Sequence, residues 1–281
     1  NHNSTLVQLW DIGNRNLSYK RVFDFRKIID LVDIQLSYLL DRSKNIVTCG
    51  MDYSRELENI FNVPKHKLHF IPNGIDRTLT YGHYKKKKSL RKELGIKENE
   101  IVLINVNRLE PDKRIHFIID IFDELKKTLR NVKLIIIGTG SLEDNLKTMI
   151  KKSKNNESIT HLKNLKDKQL YDYLFSSDIF LNVALTRYML LTVMEAMACK
   201  LPIISTAPLD GLVSDGVNGF VLNSKSPSTI VKNITSMVKR NELDKMGNNS
   251  FERIKDYTWE NVAEKAIDAY ENILQKSYNH N

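Results

Sequence analysis

Cysteine is scarce in this chain: Cys49 and Cys199 are the only two among 281 residues. They lie far apart, each in an apolar setting, which reads as structural thiols in a reducing compartment and excludes a disulfide framework. Long apolar runs are absent as well. The longest, IVLINV and LIIIG, are strand-sized and too short to span a membrane. Asn1 begins a polar stretch without a signal-peptide pattern, so the expected location is cytoplasmic. There is no helix-turn-helix, zinc-finger or RNP-like motif, and the aromatics do not interleave with the basic run, which argues against nucleic acid. No Asp-x-Asp motif and no His/Cys cluster offers itself to a metal. Internal repeats are missing, and the run Lys85 to Lys88 is the one low-complexity stretch.

Acidic residues are the minority, 34 against 43 Lys plus Arg, and about two thirds of the basic excess lies in the first hundred residues. A solvated linker is the plain reading of the lysine run, and an anionic membrane surface is the second. The hydrophobic and charged fractions, 41% and 27%, are those of a globular protein with room for one large domain, or one domain and part of another.

What is present is a regular alternation from Glu100 onward. IVLINV (101–106), VKLIIIG (132–138), ITHL, DIFLNV (178–183), LPIIST (201–206) and GFVL (219–222) are short apolar runs bounded by polar residues, the pattern of buried parallel strands. Between them lie helical stripes. One, from Lys113 to Lys127, places Ile115, Ile118, Ile119, Phe122 and Leu125 on one side. A second covers 141–152 with Ser141 as its expected cap, and a third begins at an Asp167 cap. Helices over 226–240, 242–254 and 259–275 finish the chain. The reading is a doubly wound, mostly parallel sheet with helices on both faces. Before residue 100 the pattern is thinner: a helix over 17–41, strands at 45–50 and 68–72, a helix from Tyr53 to Phe61, and a turn at Asn73-Gly74-Ile75-Asp76. That is too few strands for a complete sheet and reads as the back half of a second Rossmann-like domain.

Ligands of doubly wound sheets sit at the carboxyl ends of the strands, and four polar features collect there. Asn107 and Arg108 follow the first strand, with Lys113 five residues on near a helix start; two cations and a helix N-terminus suit a diphosphate. Gly138-Thr139-Gly140 follows the second, where glycines let a ligand approach or serve as a plain strand-to-helix turn. Glu195 lies in the apolar helix start TRYMLLTVMEAMAC, placed to accept two ribose hydroxyls or to pair with a lysine. Asp215 to Gly219 form a tight turn. Each has a bland structural explanation when taken alone.

In order and spacing, these residues resemble the family 4, or group 1, retaining glycosyltransferases of the α/β GT-B fold. IPNGID (71–76) is similar to that family's interdomain signature, and NVNRLEPDKRIHFIIDIF to its diphosphate segment. IIIGTGSLEDNL, SSDIFLN, MEAMACKLPIISTA and DGVNGFVL resemble its later blocks, and YTWENVAEKAIDAYENIL its closing helix. The resemblance implies a partial N-terminal, acceptor-side domain over 1–76, a linker and first helix over 77–99, a nucleotide-sugar domain over 100–258, and a helix over 259–281 crossing back to the first domain. It implies transfer of a sugar from a UDP-sugar, or a GDP-sugar, to a glycan, lipid-linked or protein acceptor, with no metal or other cofactor required. Arg108 and Lys113 would neutralise the leaving diphosphate, and His2 would stand in for the family's cleft histidine. Glu195 would hold the ribose, with Asn107, Gly138, Gly140, Leu191 and Thr192 completing the donor-binding set. The implied partners are the nucleotide sugar, its acceptor and an anionic membrane surface; for the missing first half of the acceptor domain, the resemblance implies either that the sequence is a fragment or that a partner subunit supplies it.

The pattern departs at one place. The family carries two glutamates eight residues apart, and Arg187 stands where the first should be, followed by Tyr188, Met189 and Leu190 in place of a Gly-Phe-Gly. The loop STAPLDGLVSDG is about two residues short of the family pattern. A non-catalytic relative that binds nucleotide or scaffolds a partner is therefore the alternative expectation.

Overall fold

The structure is a computed structural model that describes residues 36–76, 87–185, 191–222 and 226–278. His2, residues 17–35 of the first expected helix, and Arg187 to Leu190 lie outside the described residues. The chain divides into two compact units. One comprises 1–73, 186–188 and 260–281, and the other 74–185 and 189–259.

The smaller unit has a helical segment over 36–42, strand β1 (Ile46–Thr48), helix α1 (Met51–Phe61) and strand β2 (Leu68–Phe70). The strands run parallel, with Ile46 opposite Leu68. Leu40, Leu57 and Val63 form its buried cluster. Asn62 ends α1 in the left-handed region at φ 52°, its N–H returning to the Leu57 carbonyl, a role in which asparagine substitutes for glycine.

The larger unit begins with α2 (Lys87–Glu93) and β3 (Ile101–Val106), then α3 (Ile115–Thr128) and β4 (Val132–Ile137). Next come α4 (Glu143–Lys152), β5 (Ile159–Leu162), α5 (Asp167–Ser176) and β6 (Ile179–Asn182). It closes with α6 (Leu191–Ala198), β7 (Ile203–Ser205), β8 (Gly219–Val221), α7 (Pro227–Lys239) and α8 (Leu243–Ile254). The final helix, α9 (Trp259–Tyr278), passes into the smaller unit after its first residue.

The six strands of the larger unit form one parallel sheet in the order β5-β4-β3-β6-β7-β8. Winding reverses between β3 and β6, so the loops leaving those two strands diverge and open a crevice at their carboxyl ends. Leu103, Leu134, Ile179, Leu181 and Ile204 are buried, and so are the alternating Val102, Ile104, Ile135, Phe180 and Ile203. Burial at successive positions is what a sheet covered on both faces requires. The expected stripe Ile115, Ile118, Ile119, Phe122 and Leu125 is buried on α3. That helix starts two residues later than its sequence pattern predicts, after a 3-10 turn at Pro111–Lys113 and with Arg114 at φ 51°.

A carboxylate ties the base of the sheet together. Asp178, at the entry to β6, accepts the Val102 N–H at 2.8 Å. It also accepts Arg91 NH1 at 3.1 and 3.2 Å and Lys87 Nζ at 2.9 Å. Its own N–H donates to the Val102 carbonyl at 2.9 Å. Lys87 is thus not a solvated linker residue: it opens α2 and also donates to the Ser177 carbonyl at 2.7 Å. Two expected caps are likewise corrected. Leu142 caps α4, while the Ser141 hydroxyl donates to Glu110 at 2.6 Å. Lys166 caps α5, its N–H donating to Gln169 Oε1 at 3.2 Å, and Asp167 is the first helical residue.

Asp178→Ala is expected to destabilise the chain by roughly 3 kcal/mol or more, because it strands a buried guanidinium and a strand N–H. Urea unfolding measures this; a loss below about 1 kcal/mol would remove the central role of this carboxylate.

Candidate functional site

The crevice between β3 and β6 is built by two loops locked to each other. Asn107 N–H donates to Ile137 O at 3.1 Å, and Leu109 N–H to Thr139 O at 2.8 Å. The return bond, Leu142 N–H to Leu109 O, is 2.9 Å. Gly138 and Gly140 are required by this contact. A Cβ on Gly138, which has φ 147°, would lie 1.9 Å from the Asn107 carbonyl oxygen, and one on Gly140 would lie 2.5 Å from that of Leu109. The space beside both glycines is filled by this chain's own backbone, so their smallness serves loop packing. Ser141 adds a clasp: its N–H and hydroxyl both reach Glu110, and these bonds, helped by Arg108, hold the Glu110 carboxyl below its usual range.

Two cavities open on the crevice. The first, about 320 Å³, is lined by Asn107, Arg108, Gly138, Asn164, Leu165 and Thr192 among others. Arg108 is exposed, and Thr192 is contributed by α6. The second, about 200 Å³, contains Glu195 and Leu191 from α6, Asp167 and Tyr171 from α5, and Asp76 and Trp259. Leu170 lines both and separates them. Gly74 allows the second cavity to form, since a Cβ there would meet the Trp259 ring at 2.6 Å. The segment is pinned by Ile75 N–H to Tyr257 O at 2.7 Å.

The structure therefore gathers Asn107, Arg108, Gly138, Leu191, Thr192 and Glu195 around two adjoining cavities. Lys113 and Gly140 line neither cavity. Lys113 is buried and pairs with Asp112 at 2.8 Å, and the Asp112 carbonyl accepts the Leu185 N–H at 2.9 Å, which joins the β3 loop to the chain leaving β6.

Glu195 is not paired with a lysine among the described residues. Its Oε1 accepts the Tyr171 hydroxyl at 3.2 Å. Burial pushes its carboxyl up to about 7, with Asp167 adding to the rise and the Tyr171 bond opposing it. Burial and the Glu195 charge raise the Tyr171 phenol, and burial raises the Cys199 thiol. Sequence reasoning missed Tyr171, Asp167 and Trp259. The one available signal was the helical spacing of Asp167, Leu170 and Tyr171, which puts all three on the same side of α5. Among the described residues no group of three His, Cys, Asp or Glu is arranged to hold a metal ion.

A doubly wound sheet with polar loops at its switch point is a nucleotide-binding architecture, and comparison with known proteins narrows it. Residues 86–253 match the family described as Glycosyl transferases group 1, and the chain belongs to that family. It is 31% identical over 213 residues to alpha-monoglucosyldiacylglycerol synthase of Acholeplasma laidlawii, covering 74% of this chain and 53% of that protein. The chain thus spans about half the length of this curated relative. The fold is similar to that of sucrose-phosphate synthase from Thermosynechococcus elongatus, with a TM-score of 0.78 at 16% identity over 88% of this chain and 62% of the other. It is also similar to that of Anabaena HepE solved with UDP-glucose, with a TM-score of 0.70 at 17% identity over 83% and 64%. The α/β GT-B fold expected from the sequence is the fold of the chain.

Gly138→Ala is expected to separate the β3 and β4 loops and to cost roughly 2 kcal/mol or more, as overpacking against backbone does. Thermal unfolding reads the effect; an unchanged midpoint would mean that the loop contact yields without cost.

Proposed function

We propose that this chain forms the donor-binding part of a glycosyltransferase that moves a sugar from a nucleoside diphosphate to an acceptor, with the anomeric configuration retained. The observation that carries the reading is the shared wall at Leu170. One cavity presents the Arg108 cation and Thr192 of α6, the adjoining one a carboxylate. That pairing suits a diphosphate and a ribose diol in a single ligand. In this reading Glu195 accepts the ribose hydroxyls. Asn107, Leu191 and Thr192 contact the ribose-diphosphate backbone, and Gly138 and Gly140 hold the loop that shapes the pocket. Arg108 and Lys113 act on the leaving diphosphate, whose negative charge grows as the glycosidic bond breaks. Preorganised side-chain cations supply that stabilisation without requiring a metal. Lys113 would exchange Asp112 for phosphate as the donor enters.

A UDP-sugar is the first choice of donor, because the Anabaena protein of similar fold was solved with UDP-glucose; a GDP-sugar is the second. A lipid acceptor follows from the name of the Acholeplasma relative, and a glycan or protein acceptor is the alternative. A lipid acceptor would place a cytoplasmic protein at an anionic membrane surface, in keeping with the basic first hundred residues. His2 as a cleft histidine and the domain boundaries at 76, 99 and 258 belong to the same proposal. Arg187 in place of the family glutamate supports the second reading, a non-catalytic relative that keeps only the nucleotide site.

Calorimetric titration with UDP-glucose and GDP-mannose tests the reading. One donor is expected to bind, and Glu195→Ala to weaken it by about 1–3 kcal/mol, the worth of charge-assisted hydrogen bonds. Unchanged affinity in a folded variant would remove the ribose role. Arg108→Ala is expected to weaken UDP far more than uridine; equal losses would argue against phosphate contact. Release of free sugar or transfer to an acceptor, measured with the bound donor, separates the enzyme from its non-catalytic alternative.

A further inference from the structure

The Glu195 carboxylate faces an unusual set of groups for an anion-accepting position. From α5 it meets Tyr171 and Asp167; Asp76, from the segment after β2, lines the same cavity, and Cys199, just past the end of α6, feels its charge. Among the described residues that line the cavity, none is a cation. Its hydrogen-bond partner among the described residues is the Tyr171 hydroxyl. Helix α6 fixes the backbone of Glu195, but a glutamate has three side-chain torsions, and the phenol bond is what fixes the direction of the carboxylate. Tyr171 is itself buried, with 3% of its surface exposed, so its hydroxyl is held in turn.

We propose that Tyr171 is a positioning residue for Glu195, and that the proton on this carboxylate controls entry of the donor's ribose. The inference rests on the donor reading given above. The phenol donates to Oε1 and aims the remaining oxygen lone pairs into the cavity. A ribose diol donates two hydrogen bonds, and only the ionised carboxylate accepts both; the protonated acid offers one acceptor and a competing O–H. Donor binding is therefore linked to loss of one proton from Glu195.

The sign follows from the environment. Burial holds the Glu195 carboxyl near 7, so part of the population is protonated at neutral pH, and affinity is lost as pH falls through that value. The two neighbours on α5 act in opposite directions. Removing the phenol in Tyr171→Phe deletes a bond that stabilises the anion and moves the midpoint of binding to higher pH. Removing a like charge in Asp167→Asn moves it to lower pH.

The experiment measures the Kd of UDP-glucose by calorimetry between pH 5.5 and 8.5, with GDP-mannose in its place if that is the donor bound. A sugar diphosphate is used because, unlike free UDP, it has no phosphate ionisation in this range. Wild type is expected to lose about tenfold in affinity for each pH unit below the midpoint. Tyr171→Phe should raise the midpoint by about one unit, and Asp167→Asn should lower it. The 2′-deoxyribose form of the same donor should bind more weakly and with a flatter profile. A merely structural tyrosine would lower thermal stability and leave the midpoint in place. Midpoints that coincide in all three proteins, with the donor still bound and still sensitive to Arg108→Ala, overturn the positioning role and leave the donor reading standing. Failure of every sugar nucleotide to bind at any pH overturns both.

Discussion

The larger unit depends on one largely enclosed carboxylate. Asp178 sits where two central strands begin and is met by a guanidinium, an ammonium and a strand N–H. Burying such a charge is costly unless its lone pairs are filled, and here helix α2, through Lys87 and Arg91, and strand β3, through Val102, fill them. The consequence is geometric. β3 and β6 are joined at their amino ends, and the crevice opens at the opposite ends, where the direction of winding reverses. Arg91 also donates to the carbonyls of Lys97 and Glu100, which fixes the approach to β3.

At the crevice the same economy recurs with glycine. The β3 and β4 loops approach so closely that neither Gly138 nor Gly140 has room for a side chain. The loops therefore behave as one body, and Arg108 is carried on a surface stiffer than its loop position suggests. Glu195 is treated differently: it is enclosed beside other acids and restrained by a phenol. The first cavity is organised by backbone, the second by side-chain ionisation.

Much of this was legible from sequence where the cause is local. Apolar runs such as IVLINV and VKLIII announced strands, and the α3 stripe announced a helix, because burial on one or two faces imposes a period on the chain itself. Shifts of one or two residues at helix starts, as at Lys166 and Ile115, are local, but the larger departures are non-local. Ser141 reads as a cap until Glu110, from another loop, takes its hydroxyl. Lys87 reads as part of a solvated run until Asp178, ninety-one residues on, claims it. Tyr171 carried no motif at all, since its meaning depends on α5 crossing beside α6. The glycines at 138 and 140 were noticed for the right property, small size, but the approaching group proved to be the chain's own carbonyls. Arg187, the main departure from the family pattern, and His2, the expected stand-in for its cleft histidine, lie outside the described residues.

Leu170 is a single apolar side chain standing between an arginine-bearing hollow and a carboxylate-bearing one. A ligand that fills both is in effect two tethered fragments, each weak by itself, and the second is captured at the high local concentration set by the first. Selectivity then resides in the tether. A molecule with the right ends but the wrong span gains only one of the two contacts, and Leu170 serves as the ruler against which that span is measured.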